Sequence, residues 1–341
     1  MKATLVIASI LSSASPAAAP APTQHQAITG LGAPVRIDQA EVLTWSSPEP
    51  DAINMHIVRA PEGLVLFDAL RRADQVDEAL AFVRGLGAPV HAIVITHAHT
   101  DHYGGVPFWR AHFPGVPIYA TEAIRDEIRD DIVPDNARRR AMFGSRFPTQ
   151  AELNRHLPTH LLRDAEPFTV AGLTITPLVM GPSESQAAAV YLLPGRRTAI
   201  VGDLVNVLTV SAPTLSLGSW LDQLDRIERE TRPDTMLHVG HGPSGPARPL
   251  IAEQRGYLLL LQRLVAEAAR DGQGVSDAET DAVVRSLRTT YPHYRGAAAL
   301  PPDALMRESV GWVAQQQRQP SIQQRASCHK AERRSKDGPK Q

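Results

Sequence analysis

Three histidines and an aspartate fall within six consecutive positions of the stretch ITHAHTDHYGG, residues 95–105: His97, His99, Asp101 and His102. Imidazole nitrogen together with carboxylate oxygen is a donor set for zinc, iron and other divalent ions. His97 and His99 stand two residues apart, so in extended backbone they project to the same side. Asp101 and His102 follow where the chain is expected to turn into a helix. Gly104 and Gly105 carry no side chain, which lets the backbone run close to whatever these residues hold. A single histidine is commonly an ordinary core or surface group. Four candidate ligands in six positions at a strand end point instead to a metal centre.

Two further strand ends offer donors of the same kind. TAIVGDL ends an apolar run at Asp203, and TMLHVGHGPSG leads to His241, followed by Gly242 and the turn residues Pro243 to Gly245. In α/β proteins functional groups gather at the carboxyl ends of strands. Asp203 also reads as a plain turn or helix cap. His238 competes with His241, but it lies inside the strand while His241 stands at its exit beside glycine.

The elements that must position these residues follow an α/β order. GAPVRIDQAEVLTW and NMHIVRAPEGLVLFDAL read as strands with turns at 48–50 and 61–63. RADQVDEALAFVRGLG has helical spacing of Val76, Ala79, Leu80 and Val83. VHAIVIT is a continuous apolar strand that runs into the His-rich motif, as expected for a strand buried on both faces. DHYGGVPFWRAHF starts a helix and VPIYAT is another strand. Residues 121–165 are charged, helical in pattern and broken by prolines, and read as an insertion that either walls the site or lies on the surface as a solvated hairpin. Strands resume in LLRDAEPFTVAGLTITPLVM, AAVYLLPGRRTAIVGDLV and DTMLHVGH, with the helix GSWLDQLDRIERETRP before the last. A long amphipathic helix covers roughly residues 249–271.

The chain has 341 residues, 43% hydrophobic and 21% charged, ample for a sizeable core. Its formal net charge of -1 gives no positive field to collect a nucleic acid, so no nucleic-acid partner is expected. The single cysteine, Cys328, excludes a disulfide framework and a cysteine-based zinc module. Residues 1–22 have the order of a signal peptide: Lys2, an apolar run from Ala3 to Leu11, then small residues. That run is too short to span a membrane as a helix, and a secreted or periplasmic protein is expected. Residues 319–341 are polar and basic, a composition that suggests a disordered tail.

The motifs THAHTDHYGG, VGDL and HVGHGP, in this order and at these separations, resemble the metallo-β-lactamase fold superfamily over roughly residues 35–265. The resemblance implies a four-layer αββα sandwich with its site at one edge, within a domain spanning 30–318. It implies His97 and His99 as ligands of a first metal, Asp101, His102 and His241 as ligands of a second, and Asp203 as the carboxylate shared by both. The family usually takes a third first-metal histidine from a GH turn. Here that stretch is VMGPSESQAAAVYLL, and Glu184 stands in its place, as in members with GxxES at this turn. Glu184 then ligates directly, ligates through water, or leaves the first metal weakly held; it also reads as a solvent-facing turn residue.

The resemblance implies two divalent ions, zinc first, with iron or manganese favoured somewhat by an added oxygen ligand. A water or hydroxide between two such ions is the expected nucleophile, with Asp101 orienting it or taking its proton and Tyr103 as a candidate proton donor to the leaving group. The expected function is hydrolysis of a small ester, lactone, thioester or amide, β-lactams included, with phosphate and sulfate esters also within reach. An iron-dependent oxidoreductase of the sulfur dioxygenase type and a non-catalytic binding member are the alternatives. The sequence has no H-E-x-x-H, G-x-S-x-G or P-loop motif for another mechanism, and it leaves the oligomeric state open.

Overall fold

Alternation along one strand explains the layering. In β9 (Ala188–Leu192), Ala189 and Tyr191 pack toward the first sheet, while Ala188, Val190 and Leu192 pack toward helices on the opposite side. A strand apolar on both faces has to be covered twice. The computed structural model describes residues 41–48, 53–131, 135–270, 272, 274–296 and 303–318. The leader read at 1–22 and the tail read at 319–341, Cys328 included, lie outside the described residues.

The first sheet runs in the order β1 (Glu41–Ser46), β2 (Asn54–Ala60), β3 (Gly63–Phe67), β4 (Val90–Val94), β5 (Ile118–Thr121) and β6 (His160–Leu162). Its first three strands are antiparallel and the remainder pair in parallel. The second sheet runs from β7 (Phe168–Val170) through β8 (Leu173–Met180), β9, β10 (Thr198–Gly202) and β11 (Met236–Val239) to β12 (Gly245–Pro246). Of its pairs only β10 with β11 is parallel. Tyr191 of the second sheet packs 5.4 Å from Phe67 of the first, and its hydroxyl donates to the Ile95 carbonyl at 2.8 Å.

Helices cover both outer faces, giving the αββα sandwich. On the first sheet α1 (Ala73–Gly85) buries Val76, Ala79, Leu80 and Val83, the spacing legible in the sequence. After the short α2 (Thr100–Tyr103), α3 (Val106–His112) buries Val106 and Trp109. The insertion is a crossover from β5 to β6 built of α4 (Glu122–Asp130), α5 (Asn136–Phe143) and α6 (Gln150–Asn154). It is no solvated hairpin, because Ile124, Ile128, Phe147 and Leu153 join the core. Its last residues differ from the reading at 121–165: 160–162 form β6, a strand too short to show a period.

On the second sheet lie α7 (Leu217–Glu230), α8 (Ala247–Ala268), α9 (Asp277–Thr290) and α10 (Ala304–Arg318). Helix α8 starts two residues before the expected Pro249, since a proline in the first turn costs no backbone hydrogen bond. Helices α9 and α10 had no assignment in the sequence, although Ser276 and Glu279 form a capping box at the start of α9. Val283, Leu287, Met306, Val310 and Val313 bury them against the second core.

The glycines of the His-rich motif serve packing. A Cβ on Gly105 would overlap the carbonyl oxygen of Ala69 in the β3–α1 loop, and one on Gly104 would meet Arg71 and Phe147. The close approach inferred from these glycines is therefore to the chain at 69–71, not to a ligand. Gly105→Ala is expected to lower folding stability by about 2 kcal/mol or more, read as a fall in Tm. An unchanged Tm would mean that the β3–α1 loop yields without cost.

Candidate metal centre

Four loops at one edge of the sandwich bring the predicted donors together. His97 and His99 follow β4, and Asp101 and His102 lie in α2. Glu184 sits between β8 and β9, Asp203 follows β10, and His241 follows β11. Isolated bridges join His97 to Ala188 and His241 to Ile53, so the two sheets are stitched at the ligand positions themselves. Asn54 reinforces the second stitch, its amide donating to the carbonyls of Val239 and Gly242 at 2.9 and 2.8 Å.

The donors form two groups. His97, His99, Glu184 and Asp203 present ligand atoms within 4.8 Å of one another, as do Asp101, His102 and His241. Asp203 belongs to both by geometry: its Oδ2 lies 3.7 Å from His97 Nε2 and 3.4 Å from His241 Nε2, and its Oδ1 lies 3.4 Å from His102 Nε2. Glu184 Oε1 is 3.2 Å from His99 Nδ1 and 3.9 Å from His97 Nε2. Glu184 is buried, so it is not the solvent-facing turn residue that its type allowed. Ligand atoms at tetrahedral corners about 2.0–2.1 Å from a zinc ion stand roughly 3.4 Å apart, which these spacings approach.

Unpaired atoms give a second test of fit. His97 Nε2, His102 Nε2 and Asp203 Oδ1 are buried and have no hydrogen-bond partner among the described residues. Three orphaned polar atoms in one cluster would be costly in a finished core. All three belong to residues of the two groups, and divalent ions held there would satisfy them. A Cβ on Gly240 would overlap the Asp203 carboxylate, so glycine is required for Asp203 to reach this position.

Burial and neighbouring charges act against each other on every donor of the two groups. Burial alone would raise the Asp203 carboxyl, but the His102 and His241 charges hold it well below the usual carboxylate range. Burial would likewise raise Asp101, yet the Arg71 guanidinium, 3.1 Å away, and His102 keep it well below. Burial and the Asp203 charge push Glu184 up to about 7. Burial opposes protonation of His99 and His241, but Glu184 raises His99 to about 9, and Asp203 with Asp101 raises His241 to about 10.

Two residues that orient the site escaped the sequence reading. Asp68 accepts from His102 Nδ1 at 2.8 Å and from the Thr96 amide at 2.8 Å, and it holds a left-handed backbone conformation at φ 65°. A carboxylate on the far nitrogen fixes the histidine tautomer with its other nitrogen free for a metal. Asp68→Asn is expected to cost about 10–100-fold in metal affinity or activity, measured by zinc competition against a chelating indicator. Wild-type affinity would make Asp68 a folding residue only. Arg71, beside Asp101, is the second. The signal for both was the acid-and-base run FDALRR at the end of β3, another strand carboxyl end.

Tyr103 takes a different place from the one expected. It is buried, burial raises its pKa, and its hydroxyl donates to Asn136 Oδ1 at 2.6 Å, so it has no route to a leaving group. His238 stays inside β11 against His56, ring centroids 5.1 Å apart, and in neither ligand group.

An αββα sandwich with two groups of His and carboxylate side chains at its edge, placed so that they could hold metal ions, has the architecture of the metallo-β-lactamase class. The profile described as the metallo-beta-lactamase superfamily matches residues 48–241, and the chain belongs to that superfamily. A curated relative, the linear primary-alkylsulfatase of Pseudomonas sp. (strain ATCC 19151), is 27% identical over 228 residues, 58% of this chain and 43% of that protein. The chain thus spans less than half of that relative's length. A metallo-beta-lactamase family protein from Thermus thermophilus superposes with TM-score 0.57 at 20% identity, covering 82% of this chain and 94% of that one. The stereoselective inverting sec-alkylsulfatase Pisa1 from Pseudomonas sp. superposes with TM-score 0.55 at 17% identity, covering 81% and 50%.

Proposed function

We propose that this protein is a metal-dependent hydrolase whose substrate is a sulfate ester of a small alcohol. The observation that carries the hydrolase reading is the pair of ligand groups joined through Asp203, with His97, His99 and Glu184 on one side and Asp101, His102 and His241 on the other. Two divalent ions held there would supply Lewis acidity and a water whose pKa falls toward about 7. Arg71 keeps Asp101 ionised, which leaves that carboxylate able to hold an ion and orient a water. Asp68 holds His102 in a single tautomer, and His99 lies 3.2 Å from Glu184 in the first group.

The choice of ester rests on the curated relative, which is named for its action on linear primary alkyl sulfates. Carboxylic esters, lactones, thioesters and β-lactams are the competing substrates. Hydrolysis of a panel of all these classes, with metal quantified in parallel, tests the reading; sulfate release from an alkyl sulfate is expected, and lactam or lactone cleavage without it would overturn the ester class. The oxygen ligand Glu184 favours iron in a second reading, an iron-dependent oxidoreductase; one iron per chain with oxygen uptake would replace the hydrolase. Export belongs to the proposal through residues 1–22, and cell fractionation with and without them is its test.

A further inference from the structure

A glutamate in a metal site has three rotatable side-chain bonds where a histidine has two, so its carboxylate is held less firmly by its own geometry. The turn that carries Glu184 is correspondingly fixed on both sides. On one side the Ser183 carbonyl accepts from the amides of Leu215 and Ser216 at 3.2 and 3.3 Å, and the Glu184 carbonyl accepts from Thr214 Oγ1 at 2.6 Å. On the other side stands Glu127 of α4. Its Oε1 accepts from the Gln186 amide at 3.1 Å and its Oε2 from the Ala187 amide at 3.2 Å. Glu127 is only 4% exposed. A buried carboxylate is costly unless its oxygens are hydrogen-bonded, and here both oxygens are spent on the backbone two and three residues after Glu184.

We propose that Glu127 is a positioning residue for the first metal position, fixing the reach of Glu184 toward His97 and His99 through the Gln186 and Ala187 amides. The insertion helix α4 is then part of the metal site and not only its cover. The geometry explains how a glutamate can stand where the superfamily usually has a histidine: the stiffness missing from the side chain is supplied by the backbone beneath it. A purely structural role would tie α4 to the β8–β9 turn without affecting any ion.

The inference rests on the reading of Glu184 as a ligand, and the test separates the two. Zinc affinities of wild type, Glu127→Gln, Glu127→Asp, Glu184→Ala and the Glu127→Gln/Glu184→Ala double variant are measured by competition with a chelating indicator, alongside the Tm of each metal-free protein. Glu127→Gln turns one acceptor into an amide donor facing a donor, and Glu127→Asp retracts the charge by one methylene. Both are expected to weaken one of the two zinc ions about tenfold or more and leave the other unchanged. In the Glu184→Ala background Glu127→Gln is expected to have no further effect on zinc. Wild-type affinity for both ions in either single Glu127 variant that folds, or losses that multiply in the double variant, overturns the proposal. Two ions held at wild-type affinity by Glu184→Ala would overturn the ligand reading instead.

Discussion

Asp203→Ala is expected to lower kcat/KM by at least about a thousandfold and to leave the protein with fewer than two tightly bound ions. The reason is geometric. Among the described residues, Asp203 is the one whose two oxygens face donors of both groups, His97 on the first side and His102 and His241 on the second. Removing any other ligand empties one corner of one group, whereas removing Asp203 takes a corner from both and the link between them. His238→Gln is the matched control. It alters a buried histidine three residues before His241, yet it touches neither ligand group, and two ions should be retained. Metal content by elemental analysis and steady-state kinetics on both variants check the prediction. Equal metal content in the two would remove Asp203 from the centre.

Stripping the metal with a chelator is expected to abolish turnover, and the ease of stripping should rise steeply as pH falls. In the metal-free fold His99 and His241 have pKa values of about 9 and about 10, so both rings carry protons at neutral pH. An incoming ion must displace those protons, and a proton on Glu184, raised to about 7, where that is present. The logarithm of each ion's apparent affinity should therefore climb with pH with a slope of at least about one between pH 6 and 8, and that of the two ions together with a slope of at least about two. The same shifts give the sign for the metal-free fold. Histidines raised above their unfolded value of about 6.5 contribute stability that is complete below that pH and is lost as pH rises through about 9 to 10. Zinc titrations at several pH values, with Tm of the stripped protein followed across the same range, measure both effects. A flat affinity profile would mean that these rings enter the ions' reach already deprotonated.

Much of the centre was legible because strand ends carry it. His97, His99, Asp101, His102, Asp203 and His241 each follow an apolar run whose end could be read directly, and all six meet at one edge. Glu184 was legible only by its place in the order of motifs. Beyond the GxxES pattern of its turn, its burial and its contact with His99 come from far along the chain. Asp68 escaped for a similar reason: its function depends on His102, 34 residues away, and on a backbone conformation that sequence does not announce. Tyr103 was placed by adjacency to the motif, but in α2 its hydroxyl reaches Asn136 of the insertion. At the level of fold, periodicity found α1 and α8 but not the three-residue β6, too short to show any pattern. Helix α9 carries a capping box and α10 only spaced apolar residues, and both lie beyond the motif-bearing region.

One titration reaches the central claim directly. Zinc is added in steps to the chelator-stripped full-length protein at neutral pH while sulfate released from a linear alkyl sulfate is followed. If two ligand groups joined by Asp203 form one hydrolytic centre, activity starts from zero, climbs with added metal and levels off at two ions per chain. Sulfate release that is present before zinc is added, or is indifferent to it, would contradict the account.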